Sequence, residues 1–237
     1  MASRNLDIGF IGIGHLGKGL PLALAERGYR VAAAYSRSTT SAQWLADRIP
    51  SCSVYASAQE LSDASGLVFI TTPDSAIEQV ASSVTWRPGQ GVAHCYGGAS
   101  IEMLKPAAEQ GAFTGAIHPF QTFAGLASPE EAAARLAGVT FAVEGEDWLD
   151  DYLTGIAEDL GGHAVSIAAQ DRLLYHASAV FGCGYLVALM QTAVSLWEAM
   201  GFSKEQAIQA LIPLSSATVG NVARSGLVDS VTGPAVR

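Results

Sequence analysis

Residues 8–20 read Ile8-Gly-Phe-Ile-Gly12-Ile-Gly14-His-Leu-Gly17-Lys-Gly-Leu20, an apolar run that opens into glycines at the spacing Gly-x-Gly-x-x-Gly. Ile8 to Ile13 has the character of a buried strand, and His15 to Arg27 that of a helix stopped by Gly28. Between a strand and a helix this spacing has a physical meaning. Gly12 permits the tight turn, Gly14 lets backbone approach a pyrophosphate, and Gly17 lets the helix pack on the strand. The phosphates are then expected on free N–H groups at the helix start, around Gly12, Gly14, His15, Leu16 and Gly17.

Further along, the end of the second strand reads Tyr35-Ser36-Arg37-Ser38-Thr39. A site for NAD places a carboxylate there to hold the ribose 2′-hydroxyl. Arg37 flanked by Ser36 and Ser38 suits a 2′-phosphate instead, through charge-assisted hydrogen bonds, so the expected cofactor is NADP. Thr71, Thr72 and Pro73 follow another strand and are expected near the nicotinamide half, with Asp74 read as the cap of the next helix.

From the glycine loop to about Ile167, strand-like and helix-like segments alternate, as in a parallel sheet with helices on its faces. Strands are expected at Arg30 to Tyr35, Ser53 to Tyr55, Gly66 to Thr71, Gly91 to Cys95, Phe113 to His118, Val139 to Val143 and Ala164 to Ile167. After Ala168 the chain reads as helices near Asp171 to Met200, Lys204 to Leu211 and Leu214 to Ser225. Ser203 with Gln206 has the spacing of a capping box. The expected class is α/β: a Rossmann-type doubly wound sheet over residues 1–167, then a smaller all-α domain over 168–237 for substrate binding and dimerisation.

The 237 residues carry a formal charge of −9, with 49% hydrophobic and only 15% charged residues. That composition argues against disorder, and the acidic balance against nucleic-acid or anionic-membrane partners. Three dispersed cysteines fit a reducing compartment, and no His/Cys/Asp/Glu cluster has metal-ligand spacing. Met1 to Asp7 lacks the apolar core of a signal peptide, so a cytoplasmic protein is expected. The run from Arg172 to Glu198 lacks internal charge but is interrupted by Tyr175, His176, Gln191 and Thr192; it reads as a buried helix in a subunit interface, not a membrane span.

Several further motifs occur in one order: His94-Cys-Tyr-Gly97-Gly98, Ile117-His118-Pro-Phe-Gln121-Thr122-Phe123, Leu174-Tyr175-His176-Ala, Leu211-Ile-Pro-Leu214, Thr218-Val-Gly-Asn221 and Thr232-Gly-Pro234. With the glycine loop and Thr71-Thr-Pro-Asp74, the chain resembles the Rossmann-like proteins whose C-terminal half is domain of unknown function 2520. That family is similar in layout to pyrroline-5-carboxylate reductase, ketopantoate reductase, the 6-phosphogluconate and β-hydroxyacid dehydrogenases, and deazaflavin-dependent NADP oxidoreductases. The resemblance implies an NADP domain, a helical C-terminal domain and a homodimer formed through the long helix. Two departures stand out. Cys183-Gly184-Tyr185 replaces the family's Ser-Asn-Tyr, and the chain ends at Arg237, where an incomplete helical domain or a truncated chain is expected.

Hydride transfer to a C=O or C=N bond needs a proton donor beside the nicotinamide. His118 at a strand end, His176 on the long helix and Asn221 are the catalytic candidates, with Gln121, Thr122 and Tyr175 as substrate-binding groups. The leading expectation is an NADP(H)-dependent oxidoreductase acting on a small polar metabolite in a cleft between the two domains. The alternatives are a non-catalytic NADP-binding sensor or scaffold, favoured by Gly184, and hydride exchange with a carrier such as a deazaflavin.

Overall fold

In the computed structural model, which describes residues 6–230, the four residues of β1 (Ile8–Ile11) are all buried, as a strand covered on both faces requires. The chain then runs through α1 (His15–Glu26), β2 (Val31–Tyr35), α2 (Thr39–Ala46), β3 (Ser53–Val54), α3 (Ala58–Asp63) and β4 (Leu67–Ile70). A 3₁₀ turn at Asp74–Ala76 leads into α4 (Ile77–Ser83) and β5 (Gly91–His94). Another at Ile101–Leu104 precedes α5 (Lys105–Ala108), β6 (Phe113–Pro119), α6 (Pro129–Ala134), β7 (Thr140–Gly145), α7 (Trp148–Asp159) and β8 (His163–Ser166). These strands form one sheet in the order β3-β2-β1-β4-β5-β6-β7-β8. All neighbours are parallel except β6 and β7. The chain order reverses between β1 and β4, the switch point beside which open α/β sheets bind ligands.

One core lies under α1 and α7, where Leu20 and Leu24 join Phe10, Leu149, Leu153 and Ile156; a second, around Val68, Ile70, Ile77 and Leu104, lies on the other face. The α/β class and doubly wound sheet are as the sequence implies. Helix α7 is not among the sequence-based expectations. Its buried Leu149, Tyr152, Leu153, Ile156 and Ala157 have helical spacing, and Asp150 and Asp151 in its first turn suit the positive end of the helix.

The helical remainder comprises α8 (Arg172–Val180), a π-helical turn at Phe181–Tyr185, α9 (Leu186–Ala199) and α10 (Lys204–Asp229). Two compact units divide between Ala177 and Ser178, whereas the sequence pattern placed a boundary after residue 167. The capping box forms as expected: Ser203 Oγ accepts from Gln206 N at 3.2 Å, and Gln206 Oε1 accepts from Ser203 N at 2.8 Å. The two helices expected over 204–225 are one. Pro213 removes a hydrogen-bond donor without ending the helix, and the interruption comes instead at Gly226, with φ 79°. Thr232-Gly-Pro234 lies outside the described residues.

Within the chain, the run Ala169–Ala199 is long and apolar enough to cross a membrane and is largely exposed, with Leu189 at 69% and Leu196 at 64%.

Candidate functional site

The glycine loop is shaped by contacts that a side chain would break. Gly12 has φ 96°, and a Cβ there would lie 2.7 Å from Thr72 N. At Gly17 a Cβ would collide with the Gly12 carbonyl oxygen. Gly14, by contrast, faces open space, with no heavy atom within 4 Å of its Cβ position. Two bonds hold the loop from neighbouring strands: Gly12 N donates to Tyr35 O at 2.8 Å, and Thr71 Oγ1 donates to Gly12 O at 2.6 Å.

Beside the loop opens a cleft of about 1030 Å³. Of the expected cofactor residues, Gly12, Gly14, His15, Ser36, Arg37, Ser38, Thr71, Thr72 and Pro73 line it. Leu16 and Gly17 do not: Leu16 packs against the core, and Gly17 is buried where α1 meets the loop. Arg37 is exposed and forms no ion pair among the described residues, so its charge is available at the cleft wall. Ser38 stands before the first turn of α2 without capping it through its side chain, and Ser41 Oγ reaches Ser38 Oγ at 3.3 Å. The Thr72 hydroxyl is buried with no hydrogen-bond partner.

Sequence reasoning missed the opposite wall, made of Ala58, Ala76, Gln79, Val80 and Ser83. The signal was present, since Ala76, Gln79, Val80 and Ser83 recur at the spacing of one helix face. Asp74 is not the cap expected of it. Pro73 precedes the 3₁₀ turn, and neither that turn nor α4 has a side-chain cap.

A second group of polar residues gathers on β5, β6, β7 and the start of α8. Register explains it. His94 pairs with Ala116, Ala116 with Glu144, and His118 lies two residues beyond Ala116, so His94, His118 and Glu144 share one face of the sheet. Over that face α8 presents Arg172, Tyr175 and His176, spaced i, i+3, i+4. Tyr175 Oη lies 2.8 Å from His118 Nδ1, and Arg172 Nη2 lies 2.9 Å from Glu144 Oε2. The His176 ring meets Tyr96 edge to face at 5.6 Å, while its Nδ1 is buried without a hydrogen-bond partner.

Burial sets the charge in this cluster. It drives His118 down to about 4, with His176, Arg172 and His94 adding to the shift. His94 is likewise lowered to about 4 by burial, with Arg172 contributing and its bond to Ser100 opposing. Tyr175 is pushed up to about 12 by burial. His94 uses both nitrogens structurally: Nδ1 accepts from Tyr96 N at 3.1 Å, so Nε2 is the nitrogen that donates to Ser100 O, also at 3.1 Å.

The structure therefore brings His118, Tyr175 and His176 together. Gln121 and Thr122 are exposed on the loop after β6: Gln121 Oε1 accepts from Thr122 N at 2.8 Å, and Thr122 O accepts from Arg135 Nη1, at the end of α6, at 3.2 Å. Asn221 is on α10 in the second unit, where its Oδ1 accepts from Arg224 Nη2 at 2.5 Å. Gly184 falls in the π-helical turn. Among the described residues no group of three or more His, Cys, Asp or Glu is placed to hold a metal ion.

A glycine loop held between parallel strands, opening on a cleft at the switch point, defines a protein of the dinucleotide-fold class. The chain belongs to the Rossmann-like domain family, whose model matches residues 1–119; the model for a domain of unknown function, DUF2520, matches residues 139–237. No curated protein matches the chain. Among solved structures it is similar to a Bacteroides fragilis protein provisionally described as an NADP oxidoreductase, with TM-score 0.79 and 23% identity over 99% of this chain and 86% of that one. A Thermotoga maritima protein gives 0.75 and 24%, covering 96% and 83%. The 1-pyrroline-5-carboxylate reductase of Streptococcus pyogenes gives 0.72 and 18%, covering 98% and 87%. At these identities the likeness is one of fold.

Proposed function

We propose that the protein is an NADP(H)-dependent oxidoreductase that reduces a C=O or C=N bond of a small polar metabolite. The observation that carries this reading is Arg37, without an ion-pair partner among the described residues and flanked by Ser36 and Ser38 in a cleft lined by the glycine loop. The residues fit the cofactor. Open space at Gly14 accommodates a pyrophosphate against backbone, the Arg37 guanidinium suits a 2′-phosphate, and the partnerless Thr72 hydroxyl is available to a polar group of the nicotinamide half. When bound, the cofactor supplies the hydride. The Tyr175 phenol keeps its proton beside the neutral His118 ring, and this pair is assigned to deliver a proton to the oxygen or nitrogen that gains electrons. His176 is assigned to the same site, and Asn221, Gln121 and Thr122 to substrate orientation. The exposed apolar face of α8 and α9 is assigned to a second copy of the chain, and a cytoplasmic setting suits this chemistry.

Titration with NADPH and NADH should show a preference for NADPH that Arg37→Ala reduces roughly tenfold, the equivalent of about 1.4 kcal/mol. Equal affinity for both nucleotides in the unaltered protein would overturn the phosphate pocket. The rival reading, an NADP-binding sensor, draws on Gly184, which places hydrogen where the family resemblance implies an amide side chain. A screen of keto acids and cyclic imines separates the two: NADPH binding without turnover of any of them favours the sensor.

A further inference from the structure

Helix α8 is built inside out. Arg172, Tyr175 and His176 face the sheet, while Leu173 and Leu174 are 73% and 71% exposed. A helix that only filled space would turn its leucines inward, because burying a charge costs free energy unless it is paired. Arg172 is the extreme case, with its side chain 2% exposed. Its partner is Glu144, whose Oε2 lies 2.9 Å from Nη2, and among the described residues no geometrically good hydrogen bond satisfies its Nε, Nη1 or Nη2.

We infer that Arg172 is a positioning residue: paired with Glu144, it pins the first turn of α8 to the sheet and sets how Tyr175 is aligned against His118. The catalytic meaning of this role rests on the function proposed above. Its structural part does not. Arg172 lies three residues before Tyr175, one helical turn, so the tether to β7 fixes the direction from which Tyr175 Oη reaches His118 Nδ1. The His118 ring is held from below as well, since a Cβ at Gly97 would come within 2.6 Å of it.

The groups facing His118 are Tyr175, His176 and Arg172 from α8 and His94 from β5, with the Glu144 carboxylate on the same sheet face. Arg172 is the permanent cation among them. Its field adds to the burial that already disfavours a positive charge on His118, so the ring stays neutral and the Tyr175 phenol keeps its proton beside it.

The test follows the His118 side chain by NMR from pH 3.5 to 8 in the full chain, with its signals assigned by their loss in His118→Gln. The variants are Arg172→Lys, Arg172→Gln and Glu144→Gln. In the unaltered protein His118 should stay uncharged to about pH 4. Arg172→Gln should raise its midpoint by roughly half a pH unit or more, about threefold in proton affinity, and Arg172→Lys should restore it. Glu144→Gln, which leaves the cation unbalanced, should lower it, and decides alone if Arg172→Gln does not fold. Midpoints unchanged in the folded variants overturn the inference. Because this readout needs no cofactor and no turnover, its failure is separate from a failure of the proposed reaction, which would appear as absent NADPH binding.

Discussion

Helices α1 and α9 are both apolar and of similar length, 12 and 14 residues, yet α1 buries six residues including Leu20 and Leu24, while α9 buries Val194 alone. Composition does not separate them. What separates them is a partner: α1 packs on the sheet and against α6, whereas α9 has α10 and an open apolar side. The first unit is closed by its own core, and the second displays surface that one chain leaves uncovered. Burial is therefore a property of what a helix meets, and an apolar run in sequence says only that something must meet it.

The largest expected effect tests that contrast directly. Leu24→Ala should cost about 2–5 kcal/mol in chemical denaturation, the usual range for a fully buried leucine, and Leu189→Ala less than about 0.5 kcal/mol in dilute solution. Equal costs would show that α9 is covered even in the isolated chain.

A smaller contrast lies within the glycine loop. Gly17→Ala forces a methyl onto the Gly12 carbonyl and should destabilise the fold by about 1–3 kcal/mol. Gly14→Ala meets nothing, so its thermal melt should match the unaltered protein while NADPH binding weakens. A Gly14→Ala protein that binds normally would remove the pyrophosphate from this loop.

Acid sharpens the comparison more gently. His94 and His118 are each held near 4 in the folded protein, against about 6.5 for a free imidazole. Between those values the unfolded chain binds more protons, so stability is fully present above about 6.5 and declines as pH falls toward 4. All five histidines lie in the first unit. Melts recorded across this window should therefore weaken the sheet before the helices of 178–230, and replacing either residue with Gln should flatten the slope; a slope unchanged in both variants would assign the acid sensitivity elsewhere.

Much of the fold was legible because its strands are short apolar runs between glycines, and the candidate cleft because the glycine loop is a local pattern with a local cause. The capping box at Ser203 was legible for the same reason. Helix α7 carried its signal in Leu149, Leu153 and Ile156, but Asp150, Asp151, Glu158 and Asp159 mask that apolar spacing, and the stretch carries no sequence-based expectation. Arg172 was hidden for a different reason. At the edge of an uncharged run it looks like the boundary of that run, and only the β6–β7 register, which sets Glu144 beside Ala116, reveals a partner for it. Pairings across strands distant in sequence leave no periodic trace in the chain.

The bond from Thr71 Oγ1 to the Gly12 carbonyl bears on kinetics as much as on shape. It surrenders the loop's conformational freedom when the chain folds, so a ligand arriving at Gly14 meets a seat already formed and loses little entropy in ordering it. If the proposed cofactor binds here, discrimination among related dinucleotides should show chiefly in how long each remains bound.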